Sequence, residues 1–237
     1  MEERIAKSLL YKDFQTQQII LTTTKVIDLG NVQNFYSEKN IKKGDNIMKL
    51  EESETLQCLI NAFAGESQAR NRYTFYAKQA KKEGYEEIAQ IFLDTAENEK
   101  EHAKLFYKHI PNAQHHKVTG EYPFFMGNTL ENLESATCGE KEEWEYVYKH
   151  GAQIAKDEGF DEISKLFAGI LEIEKHHAHR FETLAAQMKT KSIFNKNENS
   201  QWICRKCGHI QISQCAPNKC PVCEHPQGYF QLYCSKS

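Results

Sequence analysis

The stretch E-N-E-K-E-H-A-K, residues 97–104, returns 75 positions later as E-I-E-K-H-H-A-H, residues 172–179. Each copy contains a Glu-x-x-His. On an α-helix, positions i and i+3 share a face, so Glu99 with His102, and Glu174 with His177, can each aim a carboxylate and an imidazole at one point. Two such helices, joined by a Glu from each of two others, can enclose a two-metal site in a bundle. The matching Glu lies upstream of each copy, in Gly65-Glu66 and in Gly139-Glu140, which are 74 positions apart. The breakers K-E-G-Y (82–85) and D-E-G-F (157–160) are 75 apart. The repeat therefore predicts two helix pairs built on one plan, four helices related by pseudo-twofold symmetry.

Helical spacing of Leu56, Leu59, Ile60, Phe63, Ala69, Tyr73, Tyr76, Ala77 and Ala80 carries the first helix, and that of Ile88, Ile91, Phe92, Thr95 and Ala96 the second. Ser53 or Thr55 is placed to cap the start, and Gly84 to end the first helix in a left-handed conformation. Residues 111–127, with Pro111, Gly120, Pro123 and Gly127, form the longest irregular stretch between Met48 and Lys191, long enough to cross the bundle. Asn195 to Ser200, N-K-N-E-N-S, reads as a polar linker.

A single Glu on a helical protein with 27% charged residues is ordinarily solvated. Four Glu and two His recurring at equivalent positions are another matter, because buried charges persist only when paired or bound to metal. Small neighbours, Ala64-Gly65 and Thr137-Cys138-Gly139, suit inward carboxylates crowded by helix backbones. Carboxylates with two imidazoles and no thiolate favour iron or manganese. One position breaks the symmetry: Glu143, three residues after Glu140, has Ala69 as its counterpart, so one metal can receive an extra carboxylate.

Near the C-terminus, Cys204-x-x-Cys207 and Cys220-x-x-Cys223 are separated by 12 residues. Two such knuckles make a tetrahedral four-thiolate site for iron or zinc. A segment of this size cannot build a self-sufficient core, so the ion must supply folding free energy. Trp202, Tyr229 and Phe230 are placed to pack around it, with His209 and His225 peripheral.

The chain of 237 residues, with 40% hydrophobic content, 5 Pro and a net charge of −3, reads as a soluble globular protein. Without a basic block, nucleic acid is not an expected partner, and no apolar run approaches the roughly 18 residues of a spanning helix. Cys58, Cys138, Cys215 and Cys234 have no metal or disulfide spacing and read as reduced thiols of a cytoplasmic protein. Residues 1–47 match neither a secretory signal nor a transit peptide, since Glu2, Glu3 and Asp13 precede the apolar Ile19-Ile20-Leu21. Lys42-Lys43-Gly44-Asp45 back-translates, with A-rich codons, into a bacterial ribosome-binding sequence ahead of an ATG at Met48. The expectation is that the native start is Met48 and that residues 1–47 are a translated leader.

From F-A-G-E-S-Q-A-R-N-R-Y (63–73), A-E-N-E-K-E-H-A-K (96–104), G-E-K-E-E-W (139–144), E-K-H-H (174–177) and W-I-C-R-K-C-G-H followed by C-P-V-C-E-H-P, the chain resembles the rubrerythrins from about Lys49 to its C-terminus. The resemblance implies an all-α, ferritin-like four-helix bundle over 48–192, a linker at 193–200 and a small, β-rich, metal-bound rubredoxin-like domain over 201–237. It implies two non-haem irons held by Glu66, Glu99, Glu140, Glu143, Glu174 and His177, with Glu99 and Glu174 bridging. His102 would replace Glu143 on one iron in the reduced site, and Tyr73 and Tyr148 would be phenols standing behind the ligands. Cys204, Cys207, Cys220 and Cys223 would hold one iron, zinc being the substitute. The implied activity is reduction of hydrogen peroxide to water, protecting an anaerobe from oxidative stress. Electrons would come through the four-cysteine iron from an external donor, rubredoxin or an NAD(P)H-dependent reductase, in a homodimer or higher homo-oligomer. The alternative is a ferritin-like ferroxidase with a structural zinc ribbon. Two departures stand beside the ligands: Lys141 where His is frequent, and Cys138 where Ala is.

Overall fold

The computed structural model describes residues 48–112 and 115–233; the leader expected at 1–47, and Cys234, lie outside them. Helix α1 spans Glu54–Lys82 and α2 spans Glu86–Tyr107. Ser53 caps α1 by accepting from the Leu56 N–H, whereas Thr55 turns to Glu158, donating from its hydroxyl at 2.6 Å. Gly84 and Gly159 close the first helix of each pair at φ of 83° and 88°, the left-handed region where a side chain is strained. Each turn therefore needs only a few residues, and the helices of a pair are antiparallel neighbours.

The second half differs from a plain copy. Helix α3 covers Thr129–Glu142, a π-helical segment covers Glu143–Val147, α4 covers Tyr148–Asp157 and α5 covers Asp161–Lys189. A π-helical turn accommodates one extra residue within a helix, and the sequence shows where it entered. Glu66 and Ala69 correspond to Glu140 and Glu143 at 74, whereas Tyr73 and Gly84 correspond to Tyr148 and Gly159 at 75. The added residue sits where the backbone bulges, with the Tyr148 N–H donating to the Glu143 carbonyl. Asn128 starts α3 with a capping box closed by Glu131.

The connection between α2 and α3 lies along α1 from Lys117 to Phe125 rather than turning straight back. Gln57 donates to the Lys117 carbonyl, Tyr122 to the Asn61 carbonyl and Tyr76 to the Phe125 carbonyl. Inside the bundle two apolar clusters form. One contains Tyr73, Tyr76, Phe92, Leu133 and Phe181, and the other Leu59, Phe106, Tyr148, Ile163 and Phe167. On each helix, or helix pair, the Glu at 66, 99, 140 or 174 falls between these two sets, so the carboxylates are enclosed by packing at both ends.

The C-terminal module is a three-stranded antiparallel sheet in the order β2-β1-β3, with β1 at Asn195–Cys204, β2 at Ile210–Cys215 and β3 at Phe230–Leu232. The polar stretch Asn195–Ser200, expected to be a linker, belongs to strand β1. Its backbone follows β2 from Asn195 opposite Cys215 to Ser200 opposite Ser213, with a shift of register between. Most of its side chains stay exposed, so it carries none of the apolar alternation by which a strand is read. Trp202 and Phe230 are buried beside Cys204, Cys220 and Ala216, and the Trp202 indole donates to the Ser213 carbonyl at 3.0 Å. The module rests on the turn between α1 and α2. Tyr85 stacks on Phe194 at 5.9 Å, and Gly228 meets the Gly84 carbonyl so closely that an added Cβ would collide with its oxygen.

Candidate metal centres

Each half of the repeat sends an acid and a histidine to the middle of the bundle. Glu66, Glu99, His102, Glu140, Glu174 and His177 are all buried, between 0% and 5% exposed. Their donor atoms fall into two overlapping groups, Glu66, Glu99, His102, Glu174 and Glu99, Glu140, Glu174, His177, the atoms of each group lying within 4.8 Å of one another. The two acids common to both groups offer one oxygen to each side. His102 Nδ1 is 3.0 Å from Glu99 Oε2 and 2.9 Å from Glu174 Oε1, while His177 Nδ1 is 3.3 Å from Glu99 Oε1 and 2.6 Å from Glu174 Oε2. Glu66 completes the first group at 3.6 Å and Glu140 the second at 3.6 Å.

Two phenols stand behind the outer acids in a crossed arrangement. Tyr148 of α4 donates to Glu66 Oε1 at 2.6 Å, and Tyr73 of α1 donates to Glu140 Oε1. The π-helical segment preserves this symmetry: it absorbs the residue added between Glu143 and Tyr148 and still delivers Tyr148 to the place that mirrors Tyr73.

The electrostatics of the protein residues alone are those of a site built for cations. Burial, then the charges of Glu174 and Glu99, push Glu66 well above the carboxylate range against the pull of His102. Burial and Glu174 raise Glu140 to about 7. Burial works to lower His177, but the Glu140, Glu174 and Glu99 carboxylates packed against its ring win and push it up to about 12; His102 moves the same way for the same reason. Burial and the neighbouring Glu99 charge work to raise Glu174, but the two histidines against it outweigh them and hold it low. His177 Nδ1 hydrogen-bonds Glu174 Oε2 at 2.6 Å, but both oxygens of Glu99, Oε2 of Glu140, Oε1 of Glu174 and Nδ1 of His102, although close to one another, are buried without an aligned hydrogen bond. Orphaned donor atoms of this kind are costly unless an ion takes them up, and carboxylate with imidazole is an iron or manganese donor set. The residues present thus fit a pair of divalent or trivalent ions.

Glu143 is near this centre but belongs to neither group. It lines a cavity of about 240 Å³ with Arg72, Tyr122 and Tyr148, and burial followed by the Glu140 charge raises its carboxyl well above the usual range. The structure thus places His102, and not Glu143, against Glu66. The small residues are not crowded by helix backbones as expected: a Cβ added at Gly65 would lie 3.5 Å from the Tyr122 ring and one at Gly139 3.8 Å from the Arg72 guanidinium, both ordinary contact distances to side chains. Both departures from the family pattern point away from the centre, Lys141 to Glu182 at 2.8 Å and Cys138 to the surface.

The second centre is sulfur. Cys204 Sγ lies 3.7 Å from Cys223 Sγ and Cys207 Sγ 3.6 Å from Cys220 Sγ. A disulfide needs about 2 Å, whereas a tetrahedron with metal–sulfur bonds of about 2.3 Å has edges of about 3.8 Å. The two knuckles match. Cys204 and Cys220 N–H donate to the His209 and His225 carbonyls, and the Gly208 and Glu224 N–H return to the Cys204 and Cys220 carbonyls. Gly208 and Glu224 both have positive φ, 78° and 62°. Backbone N–H groups of Cys223 and Val222 hold the Cys220 thiol down at about 6 although its burial opposes this. His209 and His225 remain outside the sulfur cluster, the latter donating to the Cys223 carbonyl at 3.0 Å.

Fold and centres together define a ferritin-like di-metal bundle carrying a four-thiolate module. The family model for rubrerythrin matches residues 57–185, and that for the rubrerythrin rubredoxin-like domain matches 202–231. A rubrerythrin of Porphyromonas gingivalis is 45% identical over 194 residues, covering 81% of this chain and 96% of the relative. Among solved structures, nigerythrin in a mixed-valence state aligns with a TM-score of 0.52 at 27% identity, over 81% of this chain and 96% of its own. Mycobacterium tuberculosis bacterioferritin, at 18% identity and a TM-score of 0.51 over 58% of this chain and 87% of its own, shares the fold. The chain belongs to the rubrerythrin family, with a di-iron site in the bundle and a rubredoxin-like iron site in the tail. Among the described residues no helix is long and apolar enough to cross a membrane.

Proposed function

We propose that this oxidoreductase is a cytoplasmic hydrogen peroxide reductase that protects an anaerobe from oxidative stress, taking H₂O₂, two protons and two electrons to two waters. The observation that carries the reading is the presence, in one chain, of a buried carboxylate–histidine pair of half-sites and a preformed four-sulfur site. When bound, the iron pair supplies Lewis acidity and two electrons, and the four-thiolate iron supplies single electrons from an external donor, rubredoxin or an NAD(P)H-dependent reductase.

The protein's own residues do the rest. Glu66, Glu99, His102 and Glu174 would hold one metal and Glu99, Glu140, Glu174 and His177 the other, with Glu143 placed to exchange with His102. Tyr73 and Tyr148, raised well above the phenol range by burial and then by the nearby Glu140 and Glu143 charges respectively, keep their protons beside the ligand oxygens of Glu140 and Glu66. The cavity that reaches Glu143 and Tyr148 gives a peroxide-sized molecule a way in. Glu99 lies about 20 Å along α2 from the turn on which the tail rests, at 1.5 Å per residue. This favours a homodimer in which each tail serves the partner's iron pair, and the exposed Phe124 and Met126 of the crossing connection offer apolar surface for it.

Rapid mixing of the anaerobically reduced protein with one equivalent of peroxide tests this. The thiolate-to-iron absorption of the tail should return within the turnover time. A tail that stays colourless while dioxygen oxidises the bundle iron faster than peroxide does would establish the ferroxidase with a zinc ribbon instead.

A further inference from the structure

Both histidines turn Nδ1 inward, so in a loaded site that nitrogen gives its lone pair and Nε2 carries the proton. What the two Nε2 atoms meet is different. His177 Nε2 lies 3.3 Å from Asn98 Oδ1, across from α5 to α2, and donates to it. Among the described residues, His102 Nε2 makes no hydrogen bond. The sequence explains the difference. Asn98 immediately precedes Glu99; its equivalent in the second copy, 75 positions on, is Ile173, immediately before Glu174. An isoleucine side chain has no acceptor.

We propose that Asn98 is the positioning residue that makes His177 the fixed histidine of the centre, and that Ile173 leaves His102 free to exchange. The inference rests on the ligand assignments above. Swinging His177 away from the metals breaks an Nε2 hydrogen bond that sets its tautomer and ring orientation, whereas at His102 there is no such Nε2 bond to break among the described residues. An outer partner of a ligating imidazole is worth about 10–100-fold in metal affinity. The choice of which histidine can yield its place to Glu143 is thereby written into one non-ligand position of the repeat.

The test uses the whole iron-loaded protein and reads metal release, which does not depend on peroxide turnover. Under anaerobic conditions a ferrous chelator is added and iron is followed by absorbance. Asn98→Leu should speed release of one bundle iron per chain by about 10–100-fold, and Asn98→Asp, which keeps the acceptor, should restore the slow release. Ile173→Asn should slow release from the His102 side, and in structures of the oxidised and reduced protein His102 should then stay on its iron in both states. Release from Asn98→Leu at the wild-type rate, or failure of the aspartate to rescue it, overturns the proposal. If Asn98→Leu lowers the melting temperature of the metal-free bundle, the Ile173→Asn structures decide, and His102 still leaving its iron there overturns it. Loss of peroxidase activity in the wild type with these release rates intact would sink the peroxidase reading alone.

Discussion

The bundle centre and the tail centre solve the problem of holding metal in opposite ways. In the bundle, the ligands are carried by helices whose apolar clusters, with Phe92 and Phe181 on one side and Phe106 and Phe167 on the other, bury large side chains whether or not an ion is bound. Hydrophobic packing there stabilises a cage that is itself electrostatically unfavourable. In the tail, the buried set is Trp202, Cys204, Ala216, Cys220 and Phe230, two of which are ligands, so the ion completes the core. The difference teaches that a metal can be held by a fold at the fold's expense, or can be the reason the fold exists.

The largest expected effect follows directly. Removing the tail metal, or replacing Cys220 by Ala, should abolish the ordered sheet, because in small four-ligand modules metal binding supplies on the order of 10 kcal/mol of folding free energy. Hydrogen exchange should show loss of protection in residues 195–232 while α1 to α5 keep theirs. A tail that stays protected without metal would erase the contrast.

The metal-free bundle should respond to pH in a way that the loaded one does not. Glu140 holds its proton up to about 7 in the folded chain, against 4.5 for an ordinary glutamate, and Glu66 is raised as well. Between those values the folded state binds more protons than the unfolded one, so stability contributed below pH 4.5 is lost as pH rises through 7. His177, raised to about 12 from 6.5, extends the same sign to higher pH. Thermal melts of the apo-protein should therefore fall from pH 5 to pH 8, and iron should flatten the curve.

Smaller effects sharpen the picture. Tyr73→Phe and Tyr148→Phe each leave a buried carboxylate oxygen without its donor and should destabilise the apo-bundle by about 1–3 kcal/mol, read by denaturant melts; equal losses would show that the π-helical residue keeps the two halves equivalent. Gly228→Ala forces a Cβ into the Gly84 carbonyl and should cost about 1–3 kcal/mol. That cost should show as faster hydrogen exchange at the tail–bundle contact, with the α1–α5 core unchanged. Least of all, Glu224→Gly, at φ 62°, should relieve up to about 1 kcal/mol of left-handed strain, offset in part by the freer unfolded chain, and slightly tighten metal retention in the tail.

Much of the centre was legible because Glu99, His102, Glu174 and His177 repeat at helical spacing, and no generic solvated face does that. Glu66 and Glu140 followed from the same repeat, and the four cysteines from their spacing. What was not legible had weaker marks. Asn195–Ser200 is polar on both sides, so its strand is a matter of backbone pairing, which side-chain patterning does not record. Asn98 looked like any exposed helical polar residue, and only its comparison with Ile173 gives it meaning. Arg72, buried over Gly139 and lining the cavity at Glu143, had no signal apart from its neighbours in the sequence.

The five residues Glu143–Val147 carry a further consequence. An α-helix advances by 100° per residue, so one added residue puts everything beyond it out of phase unless a π turn absorbs the rotation locally. Here the slip is taken up within a single turn, and Tyr148, Gly159 and α5 from Asp161 to Glu182 stay in step with their counterparts. Glu143 itself lies before the slip, in step with Ala69, so the acid that breaks the symmetry at the metals is a substitution, and the π turn beside it absorbs one added residue without re-timing the rest of the bundle.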